Sequence, residues 1–242
     1  MSSSLSALRL LQGCVSSARC ADFPFCSTAW AHEGTTSACA SDWTSGVLWR
    51  GGEALAEYLI AHPTVVRGLR LLELGAGTGV VGLAAVMAGA AEVTMTDRHV
   101  EQAAENVEAN PALAPAVRVL ELSWGAEMAA SLAGDVDLVV GADLVYPHSS
   151  SEAMELLLAT LQALRRPSVL AYVERCATVT EKFERALQAL SIRPRCRRLP
   201  LAANIYLYAL DHWTTVEEPV YNSSIAFLGT CRPIDELNSA FG

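Results

Sequence analysis

The residues best placed to do chemistry begin with the run Glu73-Leu-Gly-Ala-Gly-Thr-Gly79. Alternating glycines behind an acid describe a turn whose backbone can approach a ligand without Cβ clashes. Two ligands fit such a turn. Read from Gly77, the spacing Gly77-x-Gly79-x-x-Gly82 satisfies a dinucleotide pattern, with the acid Asp97 following 20 residues after Gly77. Read from Gly75, the spacing Gly75-x-Gly77-x-Gly79 behind Glu73 satisfies a second pattern. A pyrophosphate seeks helix N-terminal amides and no competing anion. S-adenosylmethionine has no phosphate and carries a sulfonium and an ammonium, so an acid at the head of the turn favours it. Asp97 serves either ligand, because a carboxylate there can accept hydrogen bonds from both ribose hydroxyls. Further on, Asp143 and Tyr146 end the run Gly141-Ala-Asp-Leu-Val-Tyr146. An acid at the carboxyl end of a buried apolar strand lies where open α/β sheets bind ligands.

These residues need strands and helices to hold them. Leu69 to Leu74 reads as a strand leading into the glycine turn, and Val80 to Ala88 as a helix of small residues that packs close to a sheet. Ala91 to Thr96 is a second strand ending at Asp97. Val100 to Ala109 is helical and is broken by Asn110-Pro111. Val117 to Leu122 alternates as a third strand. Asp137 to Gly141 is a fourth, nearly all apolar, as a strand buried on both faces must be. Ser149 to Leu164 is a helix with a serine at its N-cap, Ser168 to Val173 a fifth strand, and Thr180 to Leu190 a helix. Ile192 to Leu199 and Asn204 to Leu210 close the series without a helix between them, so they pair antiparallel. Ahead of all these, Leu55, Tyr58 and Leu59 mark one face of a helix that Pro63 stops. The alternation predicts an α/β fold: a doubly wound, seven-stranded Rossmann-like sheet with a closing antiparallel pair. Residues 1–40 read as a flexible N-terminal extension, 41–210 as the domain and 211–242 as a C-terminal extension.

Composition narrows the function. The chain has 242 residues, of which 52% are hydrophobic and 18% charged, which is a globular composition. Its formal net charge of −9 argues against binding nucleic acid through phosphates. It suits a basic partner, such as a lysine-bearing protein surface. Lys182 is the only lysine. The seven cysteines include no C-x-x-C pair, so the zinc signature is missing and no metal is expected. Reduced thiols fit a cytoplasmic or organellar protein. No membrane span is expected, since no uncharged apolar stretch of about 18 residues occurs. The first 21 residues carry Arg9 and Arg19 and no acid before Asp22. That is transit-peptide composition, with a disordered tail as the competing reading.

Four further segments occur in order: Gly46-Val-Leu-Trp-Arg50, Leu122-Ser-Trp-Gly125, Gly141-Ala-Asp-Leu-Val-Tyr146 and Leu170-Ala-Tyr-Val-Glu-Arg175. With the glycine turn, this order resembles the non-SET protein lysine methyltransferases of the methyltransferase-like 21 type, within the seven-β-strand class I methyltransferases. The resemblance covers about residues 43 to 210. It implies S-adenosylmethionine as the cofactor and a lysine-bearing protein as the partner. It places Trp49 against the methionine end, with Gly75, Ala76, Gly77 and Gly79 in the turn and Glu73 before it. It puts Asp97 on the ribose, Trp124 on the adenine, Ala142 beside the cofactor, and Asp143 and Tyr146 at the substrate mouth as a D-x-x-Y motif. One departure is Ser123, where the family often has an acid.

The chemistry so implied is direct displacement by a lysine amine on the sulfonium methyl. The enzyme must position the pair and present a neutral amine. A carboxylate such as Asp143 favours the ammonium, so it suits a guide and clamp better than a proton acceptor. Other acceptors on the same fold (a histidine or a small molecule), a non-catalytic cofactor-binding partner protein and a nicotinamide enzyme are the competing readings.

Overall fold

The computed structural model describes residues 46, 48–147 and 149–215. The N-terminal extension, His148 and residues 216–242 lie outside the described residues.

The first helix, α1 (Arg50–Ala61), buries Leu55, Ala56, Tyr58 and Leu59 on one face and ends before Pro63. Strand β1 (Arg70–Leu74) then leads through the glycine turn into α2 (Val80–Met87). There follow β2 (Glu92–Asp97), α3 (Glu101–Glu108), β3 (Val117–Glu121), α4 (Ala126–Leu132) and β4 (Leu138–Ala142). The chain continues through α5 (Ser151–Leu164), β5 (Ser168–Val173), α6 (Ala177–Gln188), β6 (Ile192–Ala202) and β7 (Ile205–Thr215). The α5 N-cap is Ser150, whose hydroxyl accepts the Ala153 amide at 3.0 Å. Helix α4 was not legible: its seven residues are too short and too rich in alanine to show a face.

The seven strands lie in the order β3-β2-β1-β4-β5-β7-β6. All neighbours are parallel except β5 with β7 and β7 with β6. The closing pair is therefore antiparallel, as expected, and it inserts β7 beside β5 so that β6 forms the edge. Strand β7 runs past the expected domain end at residue 210 to Thr215. Asp211 explains the extension. It is buried and takes the Arg195 guanidinium in two hydrogen bonds of 2.8 Å, fastening β7 to β6.

Side-chain alternation sends each strand's residues to two separate cores. Leu71, Val93, Leu138, Val140, Val169, Leu207 and Ala209 pack under α1, α2 and α3. Leu72, Leu74, Val139, Leu170, Tyr172, Tyr208 and Leu210 pack under α5 and α6. Strand order reverses between β1 and β4, since β2 lies on one side of β1 and β4 on the other. The carboxyl ends of those two strands open the crevice where such sheets take their ligands.

Candidate active site

Backbone conformation builds the floor of this crevice. Gly75, Gly77 and Gly79 have φ of 63°, 53° and 76°, left-handed values that strain any residue with a Cβ. That is the reason for glycine at every second position. The turn is fastened from both sides. The Ala76 amide donates to Thr96 O at 2.9 Å, the Gly77 amide donates to Asp97 Oδ2 at 2.9 Å, and Asn106 Nδ2 on α3 donates to Thr78 O at 2.7 Å. Asn106 is buried, and the sequence marks it only as one more polar residue on a helix.

Glu73 does not face outward from the strand end. It is 2% exposed, and its Oε2 accepts the Gly82 amide of α2 at 3.0 Å. Burial pushes its pKa up to about 8, helped by the Asp97 charge and opposed by the Gly82 amide. A Cβ on Gly82 would stand 2.6 Å from that carboxylate oxygen. Gly82 therefore makes room for Glu73, and its place in a dinucleotide spacing is coincidental. The Glu73 carboxyl group also occupies this amide, which is therefore not open to a phosphate.

The expected residues converge. Trp49, Glu73, Gly75, Ala76, Gly77 and Ala142 line one cleft, joined by Gly52 and Thr78. Trp124 closes it from the loop after β3, its Cζ2 3.6 Å from where a Gly75 Cβ would lie. The neighbouring Gly125 amide donates to the Thr160 hydroxyl on α5 at 2.8 Å and fixes that loop. Asp97 is tied to the turn through its bond to the Gly77 amide. Gly79 alone of the turn residues sits behind the cleft, against Met95 and Ala103. The cleft's small residues and positive-φ backbone, with the Glu73 carboxyl group and the Trp49 indole in its lining, fit an adenosyl ligand with a cationic amino-acid end.

Asp143 follows directly after β4. Its backbone is left-handed at φ 54° and its amide donates to Ala171 O at 2.9 Å. Its carboxylate is buried and doubly engaged: Oδ2 accepts the Gly51 amide at 3.0 Å and Oδ1 accepts Arg175 Nη1 at 2.9 Å. Tyr146 is 38% exposed, on a turn in which its own amide donates to the Ser149 hydroxyl at 3.1 Å. Gly51 and Arg175 are partners that sequence reasoning did not assign. A double glycine at a helix start, where glycine weakens the helix, was the available signal for Gly51. Arg175 closes one of the segments that carry the resemblance, but its partner lies 32 residues away and spacing does not pair them.

Comparison with known proteins agrees with this geometry. A candidate RNA methyltransferase from Pyrococcus horikoshii shares the fold, with a TM-score of 0.51 at 16% identity over 68% of this chain and 83% of that one. The chain thus has the fold found in class I methyltransferases. A model of a lysine methyltransferase family matches residues 32–189, and the chain belongs to that family. The chain is 42% identical to mouse (Mus musculus) protein N-lysine methyltransferase METTL21A over 43% of its length and 51% of that relative's. It is 34% identical to mouse EEF1A lysine methyltransferase 3 over 68% of this chain and 71% of the relative. It is 35% identical to METTL21A of Danio rerio over 64% and 72%. The match to the first of these spans about half of that relative's length. Membership places the chain among lysine methyltransferases, a family of S-adenosylmethionine-dependent fold.

Proposed function

We propose that this chain methylates the side-chain amine of a lysine on a partner protein, with the cleft holding the donor and Asp143 and Tyr146 framing the acceptor. The observation that carries this reading is the meeting of the glycine turn and the Asp143–Tyr146 segment at adjoining strand ends, between β1 and β4. Trp49, Glu73, Gly75, Ala76, Gly77 and Ala142 would hold the donor's methionine end, Asp97 its ribose and Trp124 its adenine. S-adenosylmethionine supplies a methyl group on a positively charged sulfur, ready for direct displacement.

The chain's own residues then have two tasks. The first is placement: Asp143 and Tyr146 orient the incoming amine along one line with the donor. The second is the proton. Lysine is an ammonium at neutral pH, with a reference pKa of about 10.4, and only the free amine attacks. Because Arg175 already pairs with Asp143, that carboxylate holds the ammonium form less strongly than an isolated one would. Withdrawal from water among Trp49, Tyr146 and the turn favours the neutral amine further, and the proton leaves from the lysine Nζ to water. The acid-rich chain suits a basic, lysine-bearing partner over a nucleic acid. Among the described residues no helix is long and apolar enough to cross a membrane. We read the scattered cysteines as reduced and the setting as cytoplasmic.

Two substitutions test the assignment. Asp143→Ala should cut methyl transfer at least about 100-fold while weakening S-adenosylhomocysteine binding only severalfold, whereas Asp97→Ala should weaken binding first. Labelled donor incubated with a protein extract measures transfer, and calorimetry measures binding. Equal losses of both in Asp143→Ala would remove its acceptor-side role, and no labelled protein at all would remove the acceptor class.

A further inference from the structure

The Asp143 carboxylate ties together three segments that are far apart in sequence. Its Oδ2 holds the first turn of α1 through the Gly51 amide, and its Oδ1 holds the segment after β5 through Arg175. Arg175 reaches back to the start of α1 as well, its guanidinium carbon 5.7 Å from the centre of the Trp49 ring. Trp49 in turn stands in the donor cleft, and its carbonyl accepts the Glu53 amide at 3.0 Å to begin α1. The contacts form a closed ring: Trp49, Gly51, Asp143, Arg175 and back to Trp49. The Asp143 side chain is 5% exposed and that of Arg175 22%. The pair is therefore shielded from solvent, unlike an ordinary surface ion pair. A Cβ on Gly51 would fall 2.7 Å from Asp143 Oδ2, so any other residue there would have to displace that carboxylate.

We propose that Arg175 is a positioning residue for methyl transfer, acting through Asp143 and Trp49 to seat the donor-facing wall of α1 against the acceptor-facing tip of β4. The proposal rests on the cleft assignment above and extends it to a residue outside the cleft lining. Arg175 touches neither donor nor acceptor. It neutralises the Asp143 charge, fixes which way that carboxylate points, and stacks on the indole that walls the donor. Loss of the guanidinium leaves a buried carboxylate without its countercharge and the Trp49 ring without support on one side. Both effects reach the donor through the same first turn of α1.

The test is a double-mutant cycle on S-adenosylhomocysteine affinity, measured by calorimetry on the full chain. Arg175→Met should weaken binding about fivefold, with the melting temperature lowered by no more than a few degrees, and Arg175→Lys should restore at least half of the loss. In an Asp143→Asn background, where Gly51 keeps an acceptor but Arg175 has no carboxylate, Arg175→Met should cost little further. An unchanged affinity in Arg175→Met overturns the proposal, as does a loss that adds in full to that of Asp143→Asn. Because the readout is donor affinity, the cycle decides the role of Arg175 even if no lysine-bearing acceptor is found, an outcome that would instead remove the acceptor assignment.

Discussion

The two sides of the cleft, proposed above for donor and acceptor, are built by different means. On the donor side the shape is made of backbone: three glycines in left-handed conformations, stapled by amides and carbonyls to β2 and α3. On the acceptor side it is made of charge: Asp143, the Gly51 amide and Arg175, from segments distant in the chain. A backbone turn is rigid and tolerates no added atom where neighbours are close. A side-chain ring can relax, because a carboxylate or a guanidinium can rotate away. The donor side should therefore fail by losing stability and the acceptor side by losing turnover.

Gly82→Ala presses hardest on this contrast. Its Cβ would meet the Glu73 carboxylate and Met95 Cε, each at 2.6 Å, in a packed interior. The expected cost is about 1–3 kcal/mol of folding stability, with donor affinity falling alongside. A denaturant series on both chains measures it, and unchanged stability would show that the donor side also relaxes. Gly51→Ala is the counterpart on the acceptor side. Its Cβ would push the Asp143 carboxylate aside, so transfer should fall about tenfold while stability changes by less than about 1 kcal/mol. Equal losses of stability in the two variants would erase the distinction.

The donor side also carries a pH response, through Glu73. Its folded pKa, about 8, is above the ordinary 4.5, so the folded state binds this proton more tightly than the unfolded chain does. The resulting stabilisation is complete below the ordinary value and is lost as pH rises through about 8. Glu73→Gln removes this dependence. Relative to that variant, the native chain should lose melting temperature steadily from pH 5 to pH 8.5, by about ten degrees in all. Parallel curves would place the Glu73 carboxyl in a wetter setting than its burial indicates.

Much of the fold was legible because its strands carry unmixed signals. β1, β4 and β5 are short apolar runs, and each βα unit repeats the same alternation. Boundaries moved by a few residues at helix starts, as in α6, which begins at Ala177 and not at Thr180. Its start is set by the segment after β5, where Cys176 provides the N-cap without a side-chain bond. The closing strands run longer than expected because polar residues such as Asp211 and Arg195 satisfy each other there, and period-two hydrophobicity does not register such pairs. In the site, Trp49 and Ala142 line the cleft with the glycine turn, Trp124 lies beside Gly75, and Asp97 accepts the Gly77 amide.

Sequence alone determined the donor turn, since left-handed backbone positions demand glycine locally and write that demand into the chain one residue at a time. It also determined the strand ends on which Asp97 and Asp143 stand. Tertiary structure decided the direction in which each acid points. Glu73 turns under α2 because Gly82 leaves it room, and Asp143 turns toward Gly51 and Arg175 because β4, β5 and the start of α1 meet there. Side-chain orientation depends on partners that chain folding brings together from afar, and spacing along the sequence holds no record of them.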